Sequence, residues 1–195
     1  EFKKIQLNGF KSFAENTTFI IDKGLTGIVG PNGCGKSNIV ESLRWCMGET
    51  SAKSMRGSGM EDVIFSGTSN KPSKNIAEVV LSLNNENKDG PHQYNDLDEI
   101  EIRRKIEKDK GSKFYINNKE VRAKDAQMFF ADLSTGAHSP SLISQGRIGA
   151  LVTAKPSDRR AILEEAAGIA GLHVRRHEAE IRLGAAENNL KRADE

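Results

Sequence analysis

Gly30-Pro31-Asn32-Gly33-Cys34-Gly35-Lys36-Ser37 is the stretch on which the fold of this chain turns. It matches the pattern G-x-x-x-x-G-K-[ST], whose spacing has a mechanical cause. Glycines let the backbone bend without a Cβ, so that successive N–H groups converge on a phosphate at the N-terminus of the helix that follows. Lys36 then supplies a point charge to the β- and γ-phosphates, and the Ser37 hydroxyl is placed to ligate Mg²⁺. The flanks agree with that order: Leu25 to Val29 reads as a strand, and Ile39, Val40, Leu43, Cys46 and Met47 recur at helical spacing up to Gly48, a good stop residue. A glycine turn that precedes a helix by chance would not carry this context.

Working outward, Phe2, Ile5 and Leu7, and then Thr17 to Ile21, predict two short strands around the turn Gly9-Phe10-Lys11-Ser12-Phe13. Glu49 to Lys74 is rich in Gly, Ser, Lys and Asn and suits an ordered surface loop rather than a core element. Ile76 to Leu83 and Leu97 to Ile106 alternate in the strand manner, with Ile100, Ile102 and Ile106 marking one face and Asn84 to Asp96 joining the two as a hairpin connection. Lys113 to Ile116 is a further strand, the pair Asn117-Asn118 is a tight turn, and a helix is expected around Ala126 to Leu133. The middle of the chain therefore reads as an antiparallel β lobe.

Ser157 after Pro156 is a plausible N-cap for a helix whose apolar stripe runs through Ile162, Leu163, Ala166 and Ala170. Leu172, Arg176, Ala179, Leu183, Ala186, Leu190 and Ala193 then recur at alternating spacings of four and three, the rhythm of a coiled coil with one charged misfit at Arg176.

Composition narrows the class without choosing a partner. The 195 residues carry 29 basic and 27 acidic side chains, a net charge of +2, too weak as a whole-chain excess to argue for nucleic acid. Apolar runs such as Val79-Val80-Leu81 fall far short of the roughly 18 residues of a membrane span. The chain begins at Glu1 with no secretory start, which suggests a piece trimmed from something longer. Cys34 and Cys46 would lie roughly 18 Å apart on a mostly helical path, too far for a disulfide, so a reducing, intracellular setting is expected.

The phosphate loop is shared by kinases, GTPases and ATPases. A guanine reader of the form Asn-Lys-x-Asp is missing, because neither Asn70-Lys71-Pro72-Ser73 nor Asn118-Lys119-Glu120-Val121 supplies the aspartate. No apolar run of four leads into Asp or Glu, so the carboxylate that orients the attacking water is missing too. The residues predict ATP binding without the hydrolytic half of the site, and they argue against a self-contained kinase or hydrolase.

Together with the loop, Gly9 to Phe13, Arg44-Trp45, Ser54-Met55-Arg56-Gly57, Met60 to Phe65, Ile143-Ser144-Gln145-Gly146, Asp158-Arg159-Arg160 and Glu164 to Gly168 resemble the N-terminal half of the head of SMC (structural maintenance of chromosomes) ATPases. The resemblance is closest to the prokaryotic chromosome-condensation branch. It implies an α/β fold, an ABC-type P-loop NTPase lobe with an antiparallel β subdomain over 1–170 and the start of a coiled-coil arm over 171–195. It implies ATP and Mg²⁺ as ligands, bound by Lys11, Ser12, Gly30, Pro31, Asn32, Gly33, Cys34, Gly35, Lys36, Ser37, Asn38, Arg56, Asp62 and Gln145. Within that set Gln145 joins Ser37 around Mg²⁺, Arg56 lies beside the phosphates, and Asp62 lies near the base or ribose.

The family's remaining catalytic parts belong to a C-terminal lobe of the same long chain and to the signature loop of a second head. Leu133-Ser134-Thr135-Gly136 looks superficially like that signature, but it precedes Gln145 and is read as a helix end and loop. Further implied partners are a kleisin-type subunit and double-stranded DNA, with a cytoplasmic, nucleoid-associated setting and no membrane. DNA candidates are Arg103-Arg104-Lys105 and Arg122 with Lys124, clusters that a solvated strand edge explains equally well; the resemblance favours Arg122 and Lys124. Rival readings are the head lobe of a related recombination or double-strand-break repair ATPase, and a scaffold for which nucleotide is a mere structural ligand.

Overall fold

The computed structural model describes residues 1–88, 91–133, 142, 152–166, 176, 179–181 and 183–187. Six strands, β1 (Phe2–Asn8), β2 (Thr17–Ile20), β3 (Ile76–Asn84), β4 (Glu99–Glu107), β5 (Gly111–Ile116) and β6 (Lys119–Val121), form one antiparallel sheet in the order β2-β1-β3-β4-β5-β6. Helix α1 (Lys36–Cys46) and helix α2 (Ala123–Asp132) supply apolar side chains to its core, and α3 (Pro156–Ala166) follows later in the chain.

Alternation explains the sheet. Ile5 faces Leu81, Leu81 faces Ile102 and Ile102 faces Ile116, so one buried row of β-branched and leucine side chains crosses four strands. Ile39, Leu43 and Cys46 of α1 and Phe129 and Phe130 of α2 join it in a single apolar cluster. Gly9 is required where β1 ends: it has φ +63°, and a Cβ there would lie 2.2 Å from the Ile76 carbonyl oxygen.

Asn117 and Asn118 both adopt positive φ, 47° and 65°, and form the two-residue hairpin between β5 and β6. β6 itself, three residues long, was too short to carry a visible alternation.

Four expectations need correction. Leu25 to Val29 is not a strand; it pairs with nothing among the described residues, and Leu25 and Val29 are 97% and 91% exposed. Its residues have strand character, but a strand needs a neighbour to take its N–H and C=O groups. Within 49–74, Met55, Val63, Ile64 and Phe65 are buried, carried inward by two short 3₁₀ turns, Lys53–Met55 and Met60–Val63.

The third α-helix begins at Pro156 itself, whose missing N–H costs nothing at a first helical position, so Ser157 is not its N-cap. Arg103 to Lys105 lie on β4, an interior strand of the sheet, which removes the solvated-edge reading. The repeat from Leu172 onward is described only in part: Arg176, Ala179, Leu183 and Ala186 are helical, an Arg176–Glu180 ion pair of 2.8 Å spans one turn, and Leu172, Leu190 and Ala193 lie outside the described residues.

Candidate nucleotide site

The phosphate loop closes onto the start of α1. Gly33 and Gly35 have φ of +82° and +95°, a region glycine enters without a Cβ penalty, and the Gly35 carbonyl accepts the Asn38 N–H at 2.9 Å. The Lys36 ammonium donates to the Gly30 and Pro31 carbonyls, each at 2.5 Å, so the lysine folds back along its own loop. Pro31, Asn32, Gly33, Cys34 and Ser37 are exposed, and a Cβ on Gly30 would meet Cys34 Sγ at 2.9 Å.

Two distant loops meet this helix from the side. Lys11 sits in the turn after β1, tied by its N–H to the Val63 carbonyl at 2.7 Å. Arg56 ends the 3₁₀ turn Lys53–Met55. Both have positive φ, 48° and 55°, a region that side chains other than Gly and Asn enter only where the surroundings over-determine them.

Between the two stands Glu41 of α1, its side chain 9% exposed. One carboxylate oxygen takes the Lys11 ammonium at 2.6 Å and the other takes Arg56 Nε. The Lys11 ammonium also donates to the Met55 carbonyl. Arg56 Nη2 donates to Asn38 Oδ1 at 2.8 Å, and Asn38 Nδ2 donates to Ser12 Oγ at 2.8 Å. Ser12 Oγ in turn lies 2.8 Å from where a Cβ on Gly35 would be, so the chain of contacts ends on the phosphate loop.

The structure thus brings together Lys11, Ser12, Gly35, Lys36, Asn38 and Arg56. Glu41 was missed by sequence reasoning. A signal existed, since Asn38 and Glu41 stand at i and i+3 and share a helix face beside the loop.

Asp62 caps its own loop, within electrostatic reach of Lys11. Its Oδ2 accepts the N–H groups of Ser58 at 2.6 Å and Gly59 at 2.9 Å and the Ser58 hydroxyl at 2.9 Å, a cap on the loop before the second 3₁₀ turn. The Gly59 N–H, then the Ser58 hydroxyl and N–H, hold this carboxyl below its ordinary range. Gln145 lies outside the described residues.

Of the basic candidates, Arg104 is corrected. It is 3% exposed, its guanidinium 4.5 Å from the centres of both the Trp45 and Phe114 rings. Nη1 donates to the Trp45 and Glu49 carbonyls at 2.6 and 2.7 Å, and Nε donates to Ser112 Oγ at 2.8 Å. Arg104 therefore caps the C-terminal end of α1 and cannot reach DNA. Burial lowers its pKa to about 10, which leaves it cationic at neutral pH, and burial pushes the adjacent Cys46 thiol up to about 12.

Arg103 stacks on Tyr115 at 4.7 Å and donates to Asn118 Oδ1 at 3.1 Å. Arg122 and Lys124 are exposed at the start of α2, where the Arg122 N–H donates to Asp125 Oδ2 at 3.2 Å. The groove beside them also holds Lys113, Lys119, Glu120 and Asp125, so its charge is mixed.

A family model described as RecF/RecN/SMC N terminal domain matches residues 1–146. A curated relative, Chromosome partition protein Smc from Rhodopseudomonas palustris, is 57% identical over 192 residues, 98% of this chain and 17% of that relative's length. The chain thus spans about a sixth of the curated relatives it matches. The Smc head domain with an extended coiled coil, bound to the C-terminal domain of ScpA and derived from Pyrococcus furiosus, is 34% identical with a TM-score of 0.77, covering 99% of this chain and 48% of that one. A structure from work on ATP-driven dimerization and DNA stimulated activation of SMC ATPases is 31% identical with a TM-score of 0.73, covering 85% of this chain and 98% of that one.

Proposed function

The chain belongs to the RecF/RecN/SMC N-terminal domain family, and from that premise we propose that it is the ATP-binding N-terminal lobe of an SMC-type ATPase head, which engages a second head across bound ATP to organise, condense and segregate chromosomal DNA. The observation that carries the reading is the junction at residues 25–36. A phosphate loop caps α1, while the segment that leads into it lies unpaired, with Leu25 and Val29 in solvent. A loop that must aim its N–H groups at a phosphate needs a fixed strand behind it, and the neighbour that would fix this one is a C-terminal lobe. The Pyrococcus furiosus head, of which this chain covers 48%, has room for such a second half.

The residues present fit ATP and Mg²⁺. Gly30 to Gly35 would turn backbone N–H groups to the phosphates, Lys36 would leave its own carbonyls for the β- and γ-oxygens, and Arg56 with Asn38 would border them from the side. Among the described residues no cluster of three or more His, Cys, Asp or Glu is placed to hold a metal. By the family resemblance Mg²⁺ would be held by the phosphates, the Ser37 hydroxyl and Gln145, where it would neutralise charge developing on the phosphoryl oxygens.

Head engagement follows if the γ-phosphate is contacted differently in the joined and separate heads, since a ligand shifts an equilibrium only by its differential affinity for the two states. The 171–195 region then starts the arm. Arg122 and Lys124 serve as phosphate contacts to DNA, and a kleisin-type subunit completes the assembly. The Pyrococcus furiosus head bound to a ScpA domain supports the last of these. A cytoplasmic, nucleoid-associated setting goes with that role, in line with the chromosome partition relatives; no helix among the described residues is long and apolar enough to cross a membrane.

The test is ATP turnover by this chain alone and by the chain joined to a matching C-terminal head lobe, with Lys36→Ala as control. Turnover only in the joined head, abolished by Lys36→Ala, is the expected result. Robust turnover by the chain alone would overturn the half-site reading.

A further inference from the structure

We infer that Glu41 is a positioning residue for the nucleotide's terminal phosphate: as the shared counter-ion of Lys11 and Arg56, it sets the direction in which Arg56 faces. The inference rests on the proposed ATP site and goes beyond it, because Glu41 lies outside the phosphate-loop pattern.

Three observations converge. First, a single carboxylate on α1 takes cations from two loops that are 30 and 15 residues away in sequence, one on each oxygen. Second, both cations occupy the left-handed backbone region, at φ 48° and 55°, a free-energy cost that their surroundings must offset. Lys11 binds the Met55 carbonyl as well as Glu41, so the carboxylate ties the turn that carries Arg56 to the turn after β1. Third, the two pairs differ in burial. The Lys11 side chain is 13% exposed, whereas that of Arg56 is 57% exposed.

An exposed ion pair contributes little to stability, so a half-exposed arginine bound to a buried carboxylate gains mainly orientation. Its Nε is fixed by Glu41 and its Nη2 by Asn38, one residue beyond Ser37. Nη1 has no hydrogen-bond partner among the described residues and keeps the planar donor geometry that suits a phosphate oxygen.

Replacing the charge at 41 would leave both cations without their anchor. A purely structural loss would weaken every nucleotide alike, but a misaimed Arg56 penalises the nucleotide that carries a third phosphate. The experiment therefore measures equilibrium affinities for ADP and for the slowly hydrolysed analogue ATPγS in the complete head, this chain joined to a C-terminal lobe. Glu41→Gln is expected to lower the ATPγS-over-ADP preference about tenfold, the scale of one charge-assisted hydrogen bond. In an Arg56→Ala background the same change is expected to move that preference less than about twofold, because the two residues act through one contact.

Glu41→Asp keeps the charge on a shorter stem and should give an intermediate preference; if Glu41→Gln fails to fold by circular dichroism, this variant carries the test. An unchanged preference in whichever variant folds, or full additivity with Arg56→Ala, would overturn the role of Glu41. Failure of the wild-type head to bind either nucleotide, or binding that survives Lys36→Ala, would instead overturn the ATP-site reading.

Discussion

Strand β3 and the segment Leu25 to Val29 both carry Leu, Ile and Val and have opposite fates. In β3, Ala77, Val79 and Leu81 are each 0% exposed, with β1 on one side and β4 on the other. In the second segment Leu25 and Val29 stand almost wholly in solvent and no ladder forms. Both segments carry β-branched and leucine side chains, Gly27 interrupting the second, but only β3 has neighbours to pair with: extended structure belongs to a pair of segments rather than to one. Residues that fold β3 hold the lobe together, and residues that leave 25–29 open mark where another lobe should add.

The largest test acts on the closed side. Trp45→Ala removes a wholly buried ring that sits against Phe10 and Arg104, and should cost about 3–5 kcal/mol in chemical denaturation followed by circular dichroism. An unchanged midpoint would mean that this joint does not seal the core.

A smaller effect is local and depends on pH. The Asp62 carboxyl is held below its usual range in the folded chain, so the stability it contributes is present above the unfolded carboxyl's pKa and is lost as pH falls through the folded one. Amide resonances of Ser58 and Gly59 should therefore shift below about pH 4, and Asp62→Asn should abolish that step. Persistence of the step in Asp62→Asn would assign it to another group.

The smallest effect is on the open side. Leu25→Ser with Val29→Ser should change the stability of the chain alone by no more than about 0.5 kcal/mol, yet impair its recovery with a C-terminal head lobe. Loss of more than about 1 kcal/mol from the chain alone would show that the segment packs against it after all and would erase the contrast.

Much of this was legible in advance, for physical reasons that also explain the misses. Alternation in β3 and β4 and helical spacing in α1 survive folding because both elements have one buried face. Arg104 was misjudged although the pattern held the clue: Ile100, Ile102 and Ile106 mark the inward register of β4, and position 104 is the missing member of that row. A guanidinium fills it because two aromatic faces, a carbonyl at the end of α1 and one just beyond it satisfy the charge. That the loop bends at a glycine, Gly35, just before α1 agrees with the loop pattern. The meeting of Lys11, Glu41 and Arg56 does not follow from it, since side chains gathered from three separate elements leave no period in the sequence.

Trp45 is the chain's single tryptophan, and its indole N–H finds no acceptor among the described residues. It therefore serves as a built-in optical gauge at the far end of the helix whose first turn carries Lys36. Its emission should be that of an indole shielded from water. A shift toward longer wavelength would register the phosphate-loop helix lifting from the sheet, and no dye would have to be attached to see it.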